Sequence, residues 1–280
     1  FRLPSYPTDT RAAVALALAT LLWSGNFVVG RAVAGDVDPL TLNLWRWALC
    51  LVGLLPWAGR RAWQHRRAGV REWRWLLALA ASGIASFHVL VYYALAHTGA
   101  VNALLVLSIA PALIMVGAAA LGPATRTRGR GLGLGLSLAG AVMVLTRGDP
   151  QVLMQLSFDV GELWMLLAVL VWTAYSLLLM RRPPELPPDV VLAASVAIAL
   201  LLMLPFAPGW WLSAPAWPSP GVVGATLYMG LLASLVGFRL WAFGVAALGP
   251  ERAGQFIHLM PLFGTVLGIA ILGESLPPRR

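Results

Sequence analysis

Nine mostly apolar stretches follow one another along the chain, at 12–34, 39–58, 73–96, 98–121, 130–147, 160–180, 189–207, 219–245 and 250–273. A helix needs about 20 such residues to cross a hydrocarbon core of about 30 Å, so each stretch is read as one membrane span. Turn-forming and polar residues collect between them, as in Gly-Asp-Val-Asp-Pro at 35–39 and Arg-Arg-Pro-Pro-Glu-Leu-Pro-Pro at 181–188. No connection is long or polar enough to be a separate soluble domain. The first stretch precedes the small residues Ala32-Val33-Ala34, yet it is longer than a signal-peptide core and is read as a retained span. The pattern predicts an all-α integral membrane protein.

Composition sharpens this. Charged residues make up 11% of the 280, against about 25% in ordinary soluble domains, which excludes a soluble enzyme and a disordered chain. Cys50 is the lone cysteine, so neither an intramolecular disulfide nor a cysteine metal site is available, and no metal or cofactor is expected. The net charge of +9 rests on twenty arginines and no lysine. With the N-terminus cytoplasmic, fourteen of them fall in or beside inner segments and only Arg31, Arg147, Arg279 and Arg280 outside. That bias predicts a multi-pass protein of a bacterial-type cytoplasmic membrane, N-terminus inside, with lipid rather than nucleic acid as its surroundings. A monomer or weak dimer is expected.

The sequence also repeats at an offset near 150. Ala19-Thr-Leu-Leu-Trp23-Ser-Gly-Asn26 aligns with Ala168-Val-Leu-Val-Trp172-Thr-Ala-Tyr175, and Pro39 with Pro188. Gly99, Ala103 and Pro111 align with Gly249, Ala253 and Pro261. The first half holds five spans, an odd number, so its copy enters the membrane from the other side. Residues 1–148 are expected to form one five-helix unit and 149–280 an inverted second unit that lacks its last helix. The whole is read as an inverted repeat of five plus five helices, nine present and the tenth missing, around a central cavity.

Several of these motifs resemble a known family. Trp23-Ser-Gly-Asn26-Phe27, Pro39 followed by Arg46, and the Ala-rich approach to Pro111 are similar to the EamA-type members of the drug/metabolite transporter (DMT) superfamily. The second half offers Trp172-Thr-Ala-Tyr175 and Arg252-Ala253 through Pro261 to Leu272-Gly273-Glu274. Within the superfamily the aromatic-rich spans look most like YddG-type amino-acid exporters. The resemblance covers nearly the whole chain. It implies a central cavity lined by spans 1, 3, 4, 6, 8 and 9, opening alternately to each side, and export of small metabolites.

Polar and aromatic groups at mid-membrane depth mark the candidate site, because a polar group facing lipid is costly. Span 1 offers Trp23 and Asn26, span 3 offers His88 and Tyr92 on one face, and span 4 offers Asn102. Span 6 carries a stripe including Trp164 and Tyr175, span 8 offers Tyr228, and span 9 offers Gln255 and His258. These residues suit a small ligand with an apolar body and a polar head, with aromatic faces for an ammonium group and Asn or His donors for a carboxylate. Helix packing and interhelical hydrogen bonding stand beside substrate contact as readings of the same residues. Arg46 and Arg239 both lie close enough to a membrane surface to snorkel. For Arg239 a substrate carboxylate is the alternative, and for Arg46 a tie between helices. Pro111 and Pro261, as repeat mates, are candidate hinges.

All eleven acids sit in loops or near span ends, and there is no Gly-x-x-x-x-Gly-Lys phosphate loop. The sequence therefore reads as a secondary transporter working without ATP, by facilitated diffusion or exchange, with neutral or aromatic amino acids as the first expected cargo. Other amphiphiles such as purines or drugs are the second, and a non-transporting scaffold or receptor the third. No reactive constellation of an intramembrane enzyme is present.

Overall fold

The computed structural model describes residues 6–121, 159–207, 218–248 and 250–274. The fifth predicted span, its Gly131 and Gly135, and the Trp-rich loop with Trp210, Trp211 and Trp217 lie outside these residues. Among the described residues the protein is helical, with a single isolated bridge between Ala34 and Val37. Among the described residues six helices are long and apolar enough to cross a membrane: Asp9–Ala32, Trp73–His97, Val160–Leu179, Pro188–Phe206, Pro220–Leu248 and Ala253–Leu272. They correspond to spans 1, 3, 6, 7, 8 and 9 of the sequence. Span 2, Pro39–Gln64, bends by 78° beyond Pro56, where proline removes a helical hydrogen bond. Span 4 is broken into Ala100–Leu107 and Ala110–Leu121.

Sequence sets the ends of these helices. Asp38 caps span 2 by accepting from the Thr41 amide at 2.9 Å, with Pro39 at the first turn. At the far end of span 1, the Arg31 guanidinium donates to the Leu95 carbonyl at 2.7 Å, on the last turn of span 3. Outward faces are apolar, as lipid requires: Leu163, Leu167 and Leu170 on span 6, and Leu262, Val266 and Ile269 on span 9, are all exposed at helical spacing.

Packing partners exchange between the halves. Span 1 lies against spans 8 and 9, while span 6 lies against spans 3 and 4. Span 2 packs on spans 7 and 8, while span 7 packs on spans 2 and 3. The irregularities recur too. Spans 3 and 8 each contain a π-helical segment, Ala80–Ser86 and Tyr228–Val236, whose starts are 148 residues apart. Spans 4 and 9 are each interrupted just before their prolines, at Ser108–Ile109 before Pro111 and in the 3-10 turn Phe256–His258 before Pro261. π-Helix is rare and tends to mark functional positions.

The widened turns leave carbonyls that side chains from neighbouring spans satisfy. Asn43 Nδ2 donates to the Ile84 and Ala85 carbonyls at 3.0 and 3.3 Å. Trp23 Nε1 donates to the Ala233 carbonyl at 3.0 Å. Close approach elsewhere depends on glycine. Gly264 and Gly268 of span 9 face Leu104 and Val101 of span 4. A Cβ on Gly161 would sit 2.9 Å from the Thr98 amide nitrogen and 3.0 Å from the Ala94 carbonyl oxygen, both backbone atoms that cannot swing away. Gly161→Val is therefore expected to lower stability by about 1–3 kcal/mol. Gly224→Ala, whose Cβ meets nothing within 4 Å, leaves it unchanged or slightly raised. Thermal unfolding midpoints in detergent check both.

Candidate functional site

A cavity of about 50 Å³ lies where seven spans converge. Trp23, Asn26 and Phe27 of span 1 face Phe87 and His88 of span 3, and Trp172 of span 6 and Phe238 of span 8 add further rings. Spans 4 and 9 close it with Leu107, Ala110, Ile257 and Met260, and span 2 contributes Arg46. The six spans expected around a central cavity all take part, and span 2 joins them. Ligand pockets usually measure about 300 Å³ or more, so a substrate needs this one wider.

The walls are aromatic and interlocked. Trp23 meets Phe238 edge-on at 5.5 Å and Trp241 at 5.1 Å, and Phe87 lies 4.7 Å from Trp172. His88 packs edge-on against Trp47 at 5.4 Å and Phe87 at 4.8 Å. His88 is 5% exposed, and its Nδ1 has no hydrogen-bond partner among the described residues.

Arg46 does not snorkel: it is 1% exposed, held inside the bundle by partners on spans 3 and 8. Its Nε donates to Ser234 Oγ at 2.7 Å and its Nη1 to the Tyr92 hydroxyl at 2.8 Å. It thus ties spans 2, 3 and 8 together. Tyr92 reaches on to Asn26 Oδ1 of span 1 at 3.3 Å. The guanidinium also lies 5.0 Å from the Trp47 ring centroid. Both hydrogen-bond partners are neutral, and among the described residues no carboxylate comes within ion-pair range.

Tyr92 also lines a second cavity, of about 280 Å³, at the end of the bundle that carries Gly35 and Asp38. Tyr93 and His97 border it as well. The Tyr92 ring lines this second space, while its hydroxyl is hydrogen-bonded to two residues that line the central one.

Of the residues singled out in the sequence, Trp23, Asn26 and His88 line the central cavity, and Tyr92 is hydrogen-bonded to two of its lining residues. The others lie elsewhere in this conformation. Trp164 stacks on Tyr93 at 5.6 Å, and Tyr175 packs beneath Gly83 with Leu186 and Val190. Tyr228 donates to the Leu22 carbonyl at 2.9 Å. Asn102 is half-buried near the start of span 4, and Arg239, Gln255 and His258 are exposed. Phe27, Phe87, Phe238 and Met260 were not picked out, since apolar residues on apolar spans carry no sequence signal. Arg46 did carry one, as a cation amid an apolar run, but its partner Ser234 is 188 positions away.

At the Gly35 end, spans 4 and 9 are joined by Glu274. Its carboxylate accepts from the Ala100 and Val101 amides at 2.9 and 3.2 Å, capping the first turn of span 4, after Gly273 turns the chain with φ 67°. Glu274→Ala is expected to cost about 1 kcal/mol in the same unfolding measurement.

The EamA-like transporter family model matches the chain twice, over residues 10–146 and 159–280. A protein of Archaeoglobus fulgidus described as an uncharacterized transporter is 23% identical over 95% of this chain and 91% of its own length. The uncharacterized transporter YdeK of Bacillus subtilis is 27% identical over 92% and 88%. A "Probable terminal-alkyne amino-acid exporter" of Streptantibioticus cattleyicolor is 25% identical over 96% and 88%. No solved structure matches. Apolar spans, a cavity at their convergence and two family matches agree: this multi-pass membrane protein is a transporter rather than an enzyme, and it belongs to the EamA-like transporter family of the DMT superfamily.

Proposed function

We propose that the protein exports neutral or aromatic amino acids by alternating access, without ATP, from a cytoplasmic membrane in which its N-terminus faces inward. The observation that carries this reading is the central cavity, where rings from spans 1, 3, 6 and 8 surround a small polar group of Asn26, His88 and Arg46. Rings offer area for an apolar side chain, and the polar group offers donors for a head group. The amino-acid cargo named for the Streptantibioticus cattleyicolor relative is compatible with this lining. Alternating access draws support from the exchange of packing partners between the halves and from their matched π-segments and proline breaks. In this reading residues 1–148 and 149–280 are inverted repeats, and the Gly35 end faces outward.

The test is efflux from proteoliposomes loaded with a labelled amino-acid mixture, against empty liposomes. Selective loss of bulky neutral amino acids is the expected result. Retention of all of them, with loss of a purine or an amphiphilic drug, would replace the cargo and keep the transporter.

A further inference from the structure

We infer that the central site recognises its cargo by a carboxylate gripped by Arg46, and that an amino group on the cargo is dispensable. This deepens the transport reading above and rests on it. Arg46 is a buried cation whose described partners, Ser234 and Tyr92, are both neutral. A charge withdrawn from water is stabilised best by an opposite charge, and the twelve residues lining the cavity include no acid. Among the described residues nothing supplies that opposite charge, and on this inference it comes with whatever enters.

The guanidinium suits a carboxylate in particular, because its planar fork can donate two parallel hydrogen bonds to the two oxygens. Nε and Nη1 are already directed at Ser234 and Tyr92, which fix the plane of the fork. Asn26, hydrogen-bonded to Tyr92, offers a neutral amide beside it, and His88 brings an unpartnered ring nitrogen to the same cavity. An ammonium finds aromatic faces, the Asn26 amide oxygen and the His88 ring nitrogen there but no carboxylate among the described lining residues, and it enters a space that already holds one positive charge. The cargo class is thus a small monocarboxylate with an aromatic or bulky apolar body. Amino acids are members of that class rather than its definition.

The test is calorimetric binding to the purified full chain in detergent. Four probes are compared: phenylalanine, 3-phenylpropanoate, phenylalaninamide and 2-phenylethylamine. Phenylalanine and 3-phenylpropanoate are expected to bind comparably, and the amide and the amine about 10- to 100-fold more weakly. Arg46→Gln should abolish that discrimination and Arg46→Lys retain part of it. The wild-type series decides the matter even if a variant does not fold. Equal binding of amine and acid, unchanged discrimination in Arg46→Gln, or binding of none of the four would overturn the inference. Amino-acid efflux without carboxylate discrimination would sink it alone, whereas carboxylate binding without amino-acid efflux would sink the export reading and leave it standing.

Discussion

Gly83→Val is expected to pry spans 3 and 6 apart and to lower stability by about 3 kcal/mol, the upper end of what overpacking usually costs. Even the first added carbon would overlap Cγ, Cδ2 and Cε2 of the Tyr175 ring. That ring has little freedom to retreat. It is 9% exposed, lies 5.1 Å from Trp172, and is packed among Leu76, Leu79, Leu186, Val190 and Val191. Trp172 in turn leans on Phe87 at the wall of the central cavity, so the displacement is transmitted to the site. Tyr175→Leu alone is expected to cost less, and combined with Gly83→Val it should recover much of the loss. Unfolding midpoints of the two single variants and the double variant form the cycle that checks this. Additive losses would mean that Gly83 matters for the π-helical turn and not for the room it leaves.

Tyr175 also marks where a linear sequence stops being informative. The stripe of span 6 is a true helical face, yet its two rings and the neighbouring Trp172 meet three different surroundings. Trp164 stacks on Tyr93, Trp172 walls the cavity, and Tyr175 fills the space over Gly83. Periodicity identifies a face that is buried, but spans 3 and 4 both press on this one, and the π-segment of span 3 changes which of its residues look inward. The spans themselves were legible because bilayer thickness imposes a length and lipid imposes composition. Six of them meet both criteria among the described residues. Arg46 was legible as an anomaly and not as a solution. Its depth in span 2 allowed snorkelling, and only the placement of Ser234 and Tyr92 on spans 8 and 3 decides against it. Arg239 looked equivalent in sequence and is exposed.

Tyr92 separates two roles that one side chain performs, and two substitutions should separate them again. Tyr92→Phe keeps the ring and removes the hydroxyl that accepts from Arg46 at 2.8 Å and reaches Asn26 at 3.3 Å. A buried hydrogen bond to a charged group is worth about 1.5–3 kcal/mol, so this variant should lose stability of that order and much of its efflux. Tyr92→Ala also removes the ring that lines the larger cavity at the Gly35 end, which is expected to act as the partition from the central one, and loses about 3–5 kcal/mol. The readout that distinguishes them is access rather than stability. With Cys50→Ser as background and Phe27→Cys as a reporter on the cavity wall, a membrane-impermeant maleimide is added from the Gly35 face. Tyr92→Phe should label as slowly as the parent, and Tyr92→Ala severalfold faster. Fast labelling in both would place the barrier in the hydrogen bonds instead of the ring. Slow labelling in both would place it elsewhere, with the tie that Glu274 makes between spans 4 and 9 as the next position to release. In an alternating-access cycle a barrier of this kind has to yield when cargo arrives. In the export reading proposed above, an incoming carboxylate that draws Arg46 away from the Tyr92 hydroxyl would loosen the partition toward the Gly35 end.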